Sequence, residues 1–327
     1  MPNRAQIQHE LSASAQQNNG VPDHDSVRRR HMARVHLLTG RPVILYYSNW
    51  TGSGQISDKA PIRLDDIHGF MGAVQDLDGS DLDLILHTPG GDPNTVETIV
   101  NYLRHKFDGE LRAFVPLAAM SAGTMLALAC DQIFMAAHSR LGPIDPQVLQ
   151  PLGNQLARAP ASAALRQFER AREDIIKNPG AASAWEPILD KYGTFLLDQS
   201  RAAQALSQEL VELWLIKWML NGHLSQTGTH GPRNLRDRLS SRQKNWTARR
   251  KASEIAAWFA SYDKHHSHGR GIGRDLARAQ GVVISDLEKS QAIQDAVLSV
   301  HHTLMLTFEV SQVVKVIENH LGDSYFA

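Results

Sequence analysis

One cysteine, Cys130, stands in a chain of 327 residues, so no disulfide can form within it. A reducing cytosol is the default setting for such a chain. Charge of one sign is also missing: Lys+Arg and Asp+Glu both number 34. That balance speaks against a binder held to nucleic acid mainly by electrostatics. No apolar run approaches the length of about 18 residues that a membrane span needs. The opening "MPNRAQIQHELSASAQQNNGVPDHDSVRRRHMARVH" has no hydrophobic signal core. A soluble, cytoplasmic protein is expected. Internal repeats are absent, and so is low complexity beyond the first residues. Those residues, 1 to about 25, are polar and read as a weakly ordered arm.

What is present is an alternation. "RPVILYYSNW" (41–50), "LDLILHT" (82–88), "LRAFVP" (111–116) and "QIFMAA" (132–137) read as strands. Between them, 62–77 and 92–106 carry apolar residues at helical spacing, and "SAGTMLALAC" (121–130) reads as a buried helix. Asp92 is a plausible N-cap with Pro93 at the first helical position. This rhythm implies a parallel sheet with right-handed crossovers. Past "SRLGPIDPQ" (139–147) the chain turns helical, with 152–176 rich in Ala and Arg. Residues 190–222 read as one long amphipathic helix. "MLTFEVSQVVKVIEN" (305–319) fits helix and strand alike.

Two strand ends share a design. "TPGGD" (88–92) and "PLAAMSAGT" (116–124) each join an apolar strand to a helix through small residues. In an open parallel sheet, ligands bind at the carboxyl ends of strands, so both turns belong at one edge. Ser121 then sits on a tight bend like a nucleophile elbow. The N–H groups of Ala122 and Gly91 become candidate donors to an oxyanion, one such donor being worth on the order of 2.7–4 kcal/mol. The bland alternatives are a helix N-cap at Ser121 and a plain tight turn at Gly90-Gly91.

"LILHTPGGDPNTVETI" followed by "VPLAAMSAGTMLALACDQIFMAAHSRLGPIDPQ" resembles the Clp/crotonase superfamily, and within it the serine dehydrogenase proteinase family, relatives of signal peptide peptidase A. The likeness covers roughly 41–150 and resumes at "HHSHGRGIGRDLARAQGV" (265–282). It implies an α/β fold, a spiral of parallel β-turns with surrounding helices and helical C-terminal additions. It implies a core over 26–150, a helical insertion or oligomerisation region over 151–260, and a return to the core over 261–327. It implies ATP-independent peptide hydrolysis without cofactor or metal, by Ser121, with Gly91 and Ala122 as oxyanion donors. A peptide or unfolded polypeptide is the implied substrate, and a homo-oligomer the implied assembly.

The general base follows from the same likeness. The place of the Clp histidine falls near Ile144-Asp145, and that of the Clp aspartate near His268-Gly269. The roles are therefore expected to be exchanged: His268 as base, Asp145 as its orienter. A lysine dyad, as in signal peptide peptidases, would draw on Lys177, Lys191 or Lys217, with Lys191 preferred. His138 is a lesser candidate, Asp145 could serve only the turn, and "HHSH" (265–268) could bind metal or stand in solvent. Three other classes stay open: a non-catalytic scaffold or peptide binder, a crotonase-type acyl-CoA enzyme, and nucleic-acid binding through 233–251. That last stretch holds Arg233, Arg236, Arg238, Arg242, Lys244, Arg249, Arg250 and Lys251 against Asp237. Trp246 alone interleaves there to stack bases.

Overall fold

The computed structural model describes residues 4–52, 56–152, 155–192, 195–221 and 235–327, with the backbone alone described over 150–152, 155–157 and 235–245. Its centre is a seven-stranded sheet. β1 (Val43–Ser48), β2 (Leu82–His87), β3 (Leu111–Val115) and β5 (Gln132–Met135) run parallel, as the sequence rhythm implies. β10 (Ile284–Asp286) extends them beyond β5, also parallel. β11 (Lys315–Asn319) pairs antiparallel with β1, and β12 (Ser324–Phe326) closes that edge.

Both faces of this sheet are covered, and alternation sorts the side chains. Ile44 and Tyr46 of β1 join the core beneath α3 (Asp66–Val74), α4 (Pro93–Lys106) and α5 (Ala122–Leu128); Val43, Leu45 and Tyr47 join a second core on the opposite face. That second face is closed by α2 (His24–Thr39) and the helix Gln291–Val310. A period of two along doubly buried strands gives this division.

A second, small sheet forms as each unit turns. β4 (Ala118–Ala119) follows β3 and β6 (Arg140–Leu141) follows β5; the two pair in parallel, and β9 (Ile272–Gly273) adds antiparallel to β6. Thr88, just after β2, bridges to Ala119 in parallel. Each unit thus gives one long strand to the large sheet and one short strand to the small one. This is the expected spiral of β-turns with outer helices.

Four elements differ from the sequence reading. The polar N-terminus forms α1 (Arg4–Gln17), which buries Ile7 and Leu11, one helical turn apart, against Val27 and Leu306. Pattern reading undervalues two apolar residues at that spacing in a polar helix. Residues 147–160 form a hairpin of β7 (Gln147–Leu152) and β8 (Gln155–Pro160) rather than joining the Ala/Arg-rich helix, α6 (Ala161–Lys177). The segment 190–222 is shorter as a helix. After α7 (Ala182–Leu189), α8 spans Leu196–Trp214 and continues as a π-turn over Leu215–Met219; the expected stop at Gly222 lies outside the described residues. In the ambiguous tail, the helix ends at Val310 and Lys315 opens a strand.

α8 spends most of its apolar face within this chain. Leu210 and Trp214 are buried in this chain's own core, Leu206 and Trp218 pack on it, and Leu213 is exposed. Of the basic run, Arg233 lies outside the described residues. Trp246 is exposed, and Arg250 pairs with Glu254 at 2.8 Å. Among the described residues, no helix is long and apolar enough to cross a membrane.

Candidate active site

The glycine turn after β2 is held from two sides. Thr88 N donates to Ala118 O at 3.1 Å and Met120 N donates to Thr88 O at 3.0 Å, tying the turn to the small sheet. On the other side Ile62 N donates to Gly90 O at 2.7 Å, and Asp92 N donates to Ile62 O at 3.0 Å. Ile62 therefore engages the residues either side of Gly91. In an extended chain successive amides alternate in direction, so the Gly91 N–H points away from Ile62. It donates to no group among the described residues.

The two glycines serve different neighbours. A Cβ on Gly91 would fall on the Ile62 backbone. A Cβ on Gly90, where φ is +94°, would lie 2.6 Å from Ser121 Cβ and 2.9 Å from Ala122 N. The sequence reading took the glycines as a pair, either an oxyanion donor at Gly91 or a plain tight turn. Gly90 is the residue that lets the two turns meet, and the doubled glycine was its only signal in sequence. Asp92 caps α4 as expected, accepting from Thr95 N at 3.1 Å, with Pro93 in the first turn.

Ser121 sits at φ 50° and ψ −121°, left-handed backbone that costs an L-residue on the order of 1–3 kcal/mol. Gly123 N donates to Met120 O at 2.8 Å, closing a four-residue turn with Ser121 at its second position. Those angles belong to a type II′ turn, where glycine is the usual occupant. The Ser121 side chain makes no capping hydrogen bond, so the N-cap alternative does not explain the serine. Ala122 opens α5, and its N–H finds no acceptor among the described residues. Thr124 Oγ1 fixes the turn, donating to Ala119 O at 2.7 Å and accepting from Gly142 N at 2.8 Å.

The small sheet gathers three distant segments at one edge. Its register sets Ala119 beside Leu141, and Leu141 beside Ile272. β4 and β6 are parallel, so Ser121 and Asp145 both follow the same end. β9 runs the other way, so His268, which precedes it, lies at that same end of the small sheet. His138 precedes β6 and belongs to the opposite end.

His268 Nδ1 lies 2.8 Å from Asp145 Oδ1, with the Asp145 side chain 1% exposed and that of His268 28% exposed. A carboxylate can only accept, so Nδ1 carries a proton, and the neutral ring holds its lone pair at Nε2. Gln147 Nε2 donates to the other Asp145 oxygen at 3.4 Å. Ile144 N, one residue before, donates to Phe259 O at 2.9 Å. The turn reading of "GPIDP" therefore leaves out what its carboxylate does. His265, three residues before His268, turns inward and donates Nε2–H to Trp258 O at 2.9 Å. The "HHSH" run thus does not gather about one point.

The three lysines weighed from sequence are exposed. Lys191 follows α7 at the surface, Lys177 faces Glu173 at 3.9 Å, and Lys217 lies over the Trp218 ring. A lysine base needs burial to give up its proton. Lys315 is the buried lysine of the described residues, and sequence reading passed over it. Its Nζ donates to Pro61 O, Asp66 Oδ1 and Asp66 Oδ2 at 2.8, 2.8 and 2.9 Å, which engages all three protons.

Behind the glycine turn, two histidines are buried in neutral form. His87 donates Nδ1–H to Ala118 O at 3.2 Å, and His301 Nδ1 accepts from the Tyr47 hydroxyl at 2.7 Å. Burial pulls each from 6.5 down to about 3. Unfolding lets them charge, so the unfolded chain binds more protons between those values. Stability is complete above pH 6.5 and falls as pH drops toward 3, each histidine contributing on the order of 1.4 kcal/mol per pH unit. The urea midpoint is expected to drop clearly between pH 7 and pH 4.5, and an unchanged midpoint would count against buried neutral imidazoles.

Residues 62–178 match the family model of the ClpP-like SDH-type serine proteinases. Two uncharacterized proteins of Methanocaldococcus jannaschii are similar in part. MJ0137 is 46% identical over 69 residues, covering 21% of this chain and 24% of that protein. MJ1495 is 37% identical over 95 residues, covering 29% of each. The chain thus spans less than a third of the length of these curated relatives. Among solved structures, the membrane-bound stomatin-specific protease 1510-N matches with a TM-score of 0.36 at 15% identity, covering 69% of this chain and 75% of that one.

Proposed function

We propose, from the premise that residues 62–178 carry the ClpP-like SDH-type serine proteinase signature, that this chain is a serine peptidase with Ser121 as nucleophile. The observation that carries the proposal is the Ser121 turn, strained at φ 50°, uncapped, and facing the same sheet edge as the His268–Asp145 pair. A serine hydroxyl attacks only when a neighbour accepts its proton. His268 Nε2 takes that proton as Ser121 Oγ bonds to the scissile carbonyl carbon. Asp145 holds the Nδ1–H tautomer and stabilises the imidazolium. The oxyanion accepts from Gly91 N–H and Ala122 N–H, two amides without an acceptor among the described residues. Collapse of the intermediate passes the proton from His268 to the leaving amine and leaves an acyl-Ser121. Water, deprotonated by His268, then releases the acid. The cycle uses no ATP and no cofactor, and its substrate is an extended peptide.

A fluorophosphonate probe tests this directly. The purified chain should label at Ser121, and Ser121→Ala should stay folded and unlabelled. A folded chain that takes no label would sink the peptidase reading and favour a scaffold or a crotonase-type enzyme, neither of which uses an activated serine.

A further inference from the structure

The Gly91 amide is aimed by a strand that has little to hold it by itself. Residues 61–63 form one isolated bridge, and Ile62 spends both its backbone groups on the glycine turn. The carbonyl before Ile62 and the amide after it are both tied to one buried ion pair. Lys315 Nζ donates to Pro61 O at 2.8 Å, and Arg63 N donates to Asp66 Oδ2 at 2.9 Å. Lys315 and Asp66 meet at 2.8 Å with side chains 1% and 3% exposed. The Tyr46 hydroxyl adds a third tie, donating to Asp66 Oδ2 at 2.8 Å. Within the turn, Thr88 Oγ1 accepts from Gly90 N at 3.1 Å. The ion pair thus grips the glycine turn through Ile62, which it flanks on both sides.

We propose that Lys315, Asp66 and Tyr46 are positioning residues that aim the Gly91 amide, and that the buried Lys315–Asp66 pair serves turnover rather than stability. A buried pair is weak evidence for stability, because desolvation of two charges offsets their attraction. Here burial pulls the lysine below its ordinary value while Asp66 pulls it up. What the pair does supply is direction: an ammonium and a carboxylate accept only a few geometries, and each fixes one flank of Ile62. An apolar pair of the same volume would fill the space and leave the strand free to shift. Small displacements of an oxyanion donor cost turnover while leaving ground-state binding intact.

This inference rests on the peptidase reading, and the experiment separates the two. The double variant Lys315→Met with Asp66→Asn removes both charges together, so no lone charge stays buried. Tyr46→Phe deletes one hydroxyl and is the milder companion. Peptide cleavage, labelling of Ser121 and binding of a peptide boronate are measured on each, beside the parent. The double variant is expected to lose 10- to 100-fold in kcat with KM within twofold, and Tyr46→Phe about fivefold. Boronate affinity should fall in parallel with kcat/KM, because the boronate presents a tetrahedral anion to the same amides. A parent that neither labels nor cleaves overturns the peptidase reading itself. A parent that labels, with folded variants that keep kcat, overturns the positioning role alone. If the double variant does not fold, Tyr46→Phe decides: unchanged kcat and boronate affinity overturn the proposal.

Discussion

Replacing His268 by alanine is expected to lower peptide turnover by about four orders of magnitude, roughly 5.5 kcal/mol of transition-state stabilisation, with KM little changed. The reason is the single lone pair that the Asp145 contact leaves at Nε2. Without it, Ser121 must shed its proton to water. Asp145→Asn should cost nearly as much. An amide in that place can donate to Nδ1, which favours the other tautomer and turns the proton toward Ser121 instead of the lone pair. Lys191→Met serves as the control and should leave activity as it was, since that side chain is exposed on the helical insertion. Steady-state kinetics on one peptide substrate checks all three. A His268→Ala chain that works within tenfold of the parent would remove histidine from the mechanism. Loss on Lys191→Met would restore the lysine dyad.

The second large effect belongs to Gly90. Gly90→Ala puts a methyl group 2.6 Å from Ser121 Cβ and 2.9 Å from Ala122 N, at a φ of +94°. Backbone strain of this kind costs on the order of 1–3 kcal/mol. The larger consequence is local, because the methyl separates the two turns whose amides must converge. A fall in kcat of about 100- to 1,000-fold is expected, the range seen when one oxyanion donor is lost. Gly91→Ala should behave otherwise. Its methyl strikes the Ile62 backbone, so the urea midpoint should fall first, with activity following the folded fraction. Equal kcat in parent and Gly90→Ala would show that the turns need not touch.

Much of this was legible in the sequence because it is written locally. The strands over 43–48, 82–87, 111–115 and 132–135 are short apolar runs closed by turn residues, and Asp92-Pro93 announces the helix after the glycines. The parallel sheet and the seats of Ser121, Gly91 and Ala122 follow from those signals, while the spiral came with the family likeness. The His268–Asp145 contact did not follow from spacing, since 123 positions separate its members. Family likeness alone suggested it. Lys315 and Asp66 lie 249 positions apart and left no trace at all. A lysine inside "VVKVIEN" reads as a solvated edge until the antiparallel pairing of β11 buries it. The hairpin over 147–160 was missed for a different reason: Ala157, Arg158 and Ala159 continue into the Ala- and Arg-rich helix that follows, and composition does not mark the boundary. The N-terminal helix was missed because its burial is supplied by a partner helix late in the chain.

The antiparallel pairing of β11 with β1 has a consequence for the order of synthesis. Ser121, both glycines and Asp145 leave the ribosome early, within the segment of family likeness. His268 emerges far later, and Lys315 later still. On the proposed mechanism Ser121 has no proton acceptor until then, the glycine turn lacks its brace, and the free side of β1 waits for a strand late in the chain. A growing polypeptide is the kind of extended substrate a peptidase accepts. On that mechanism, the catalytic groups of this chain come together only once β11 has closed the sheet against β1.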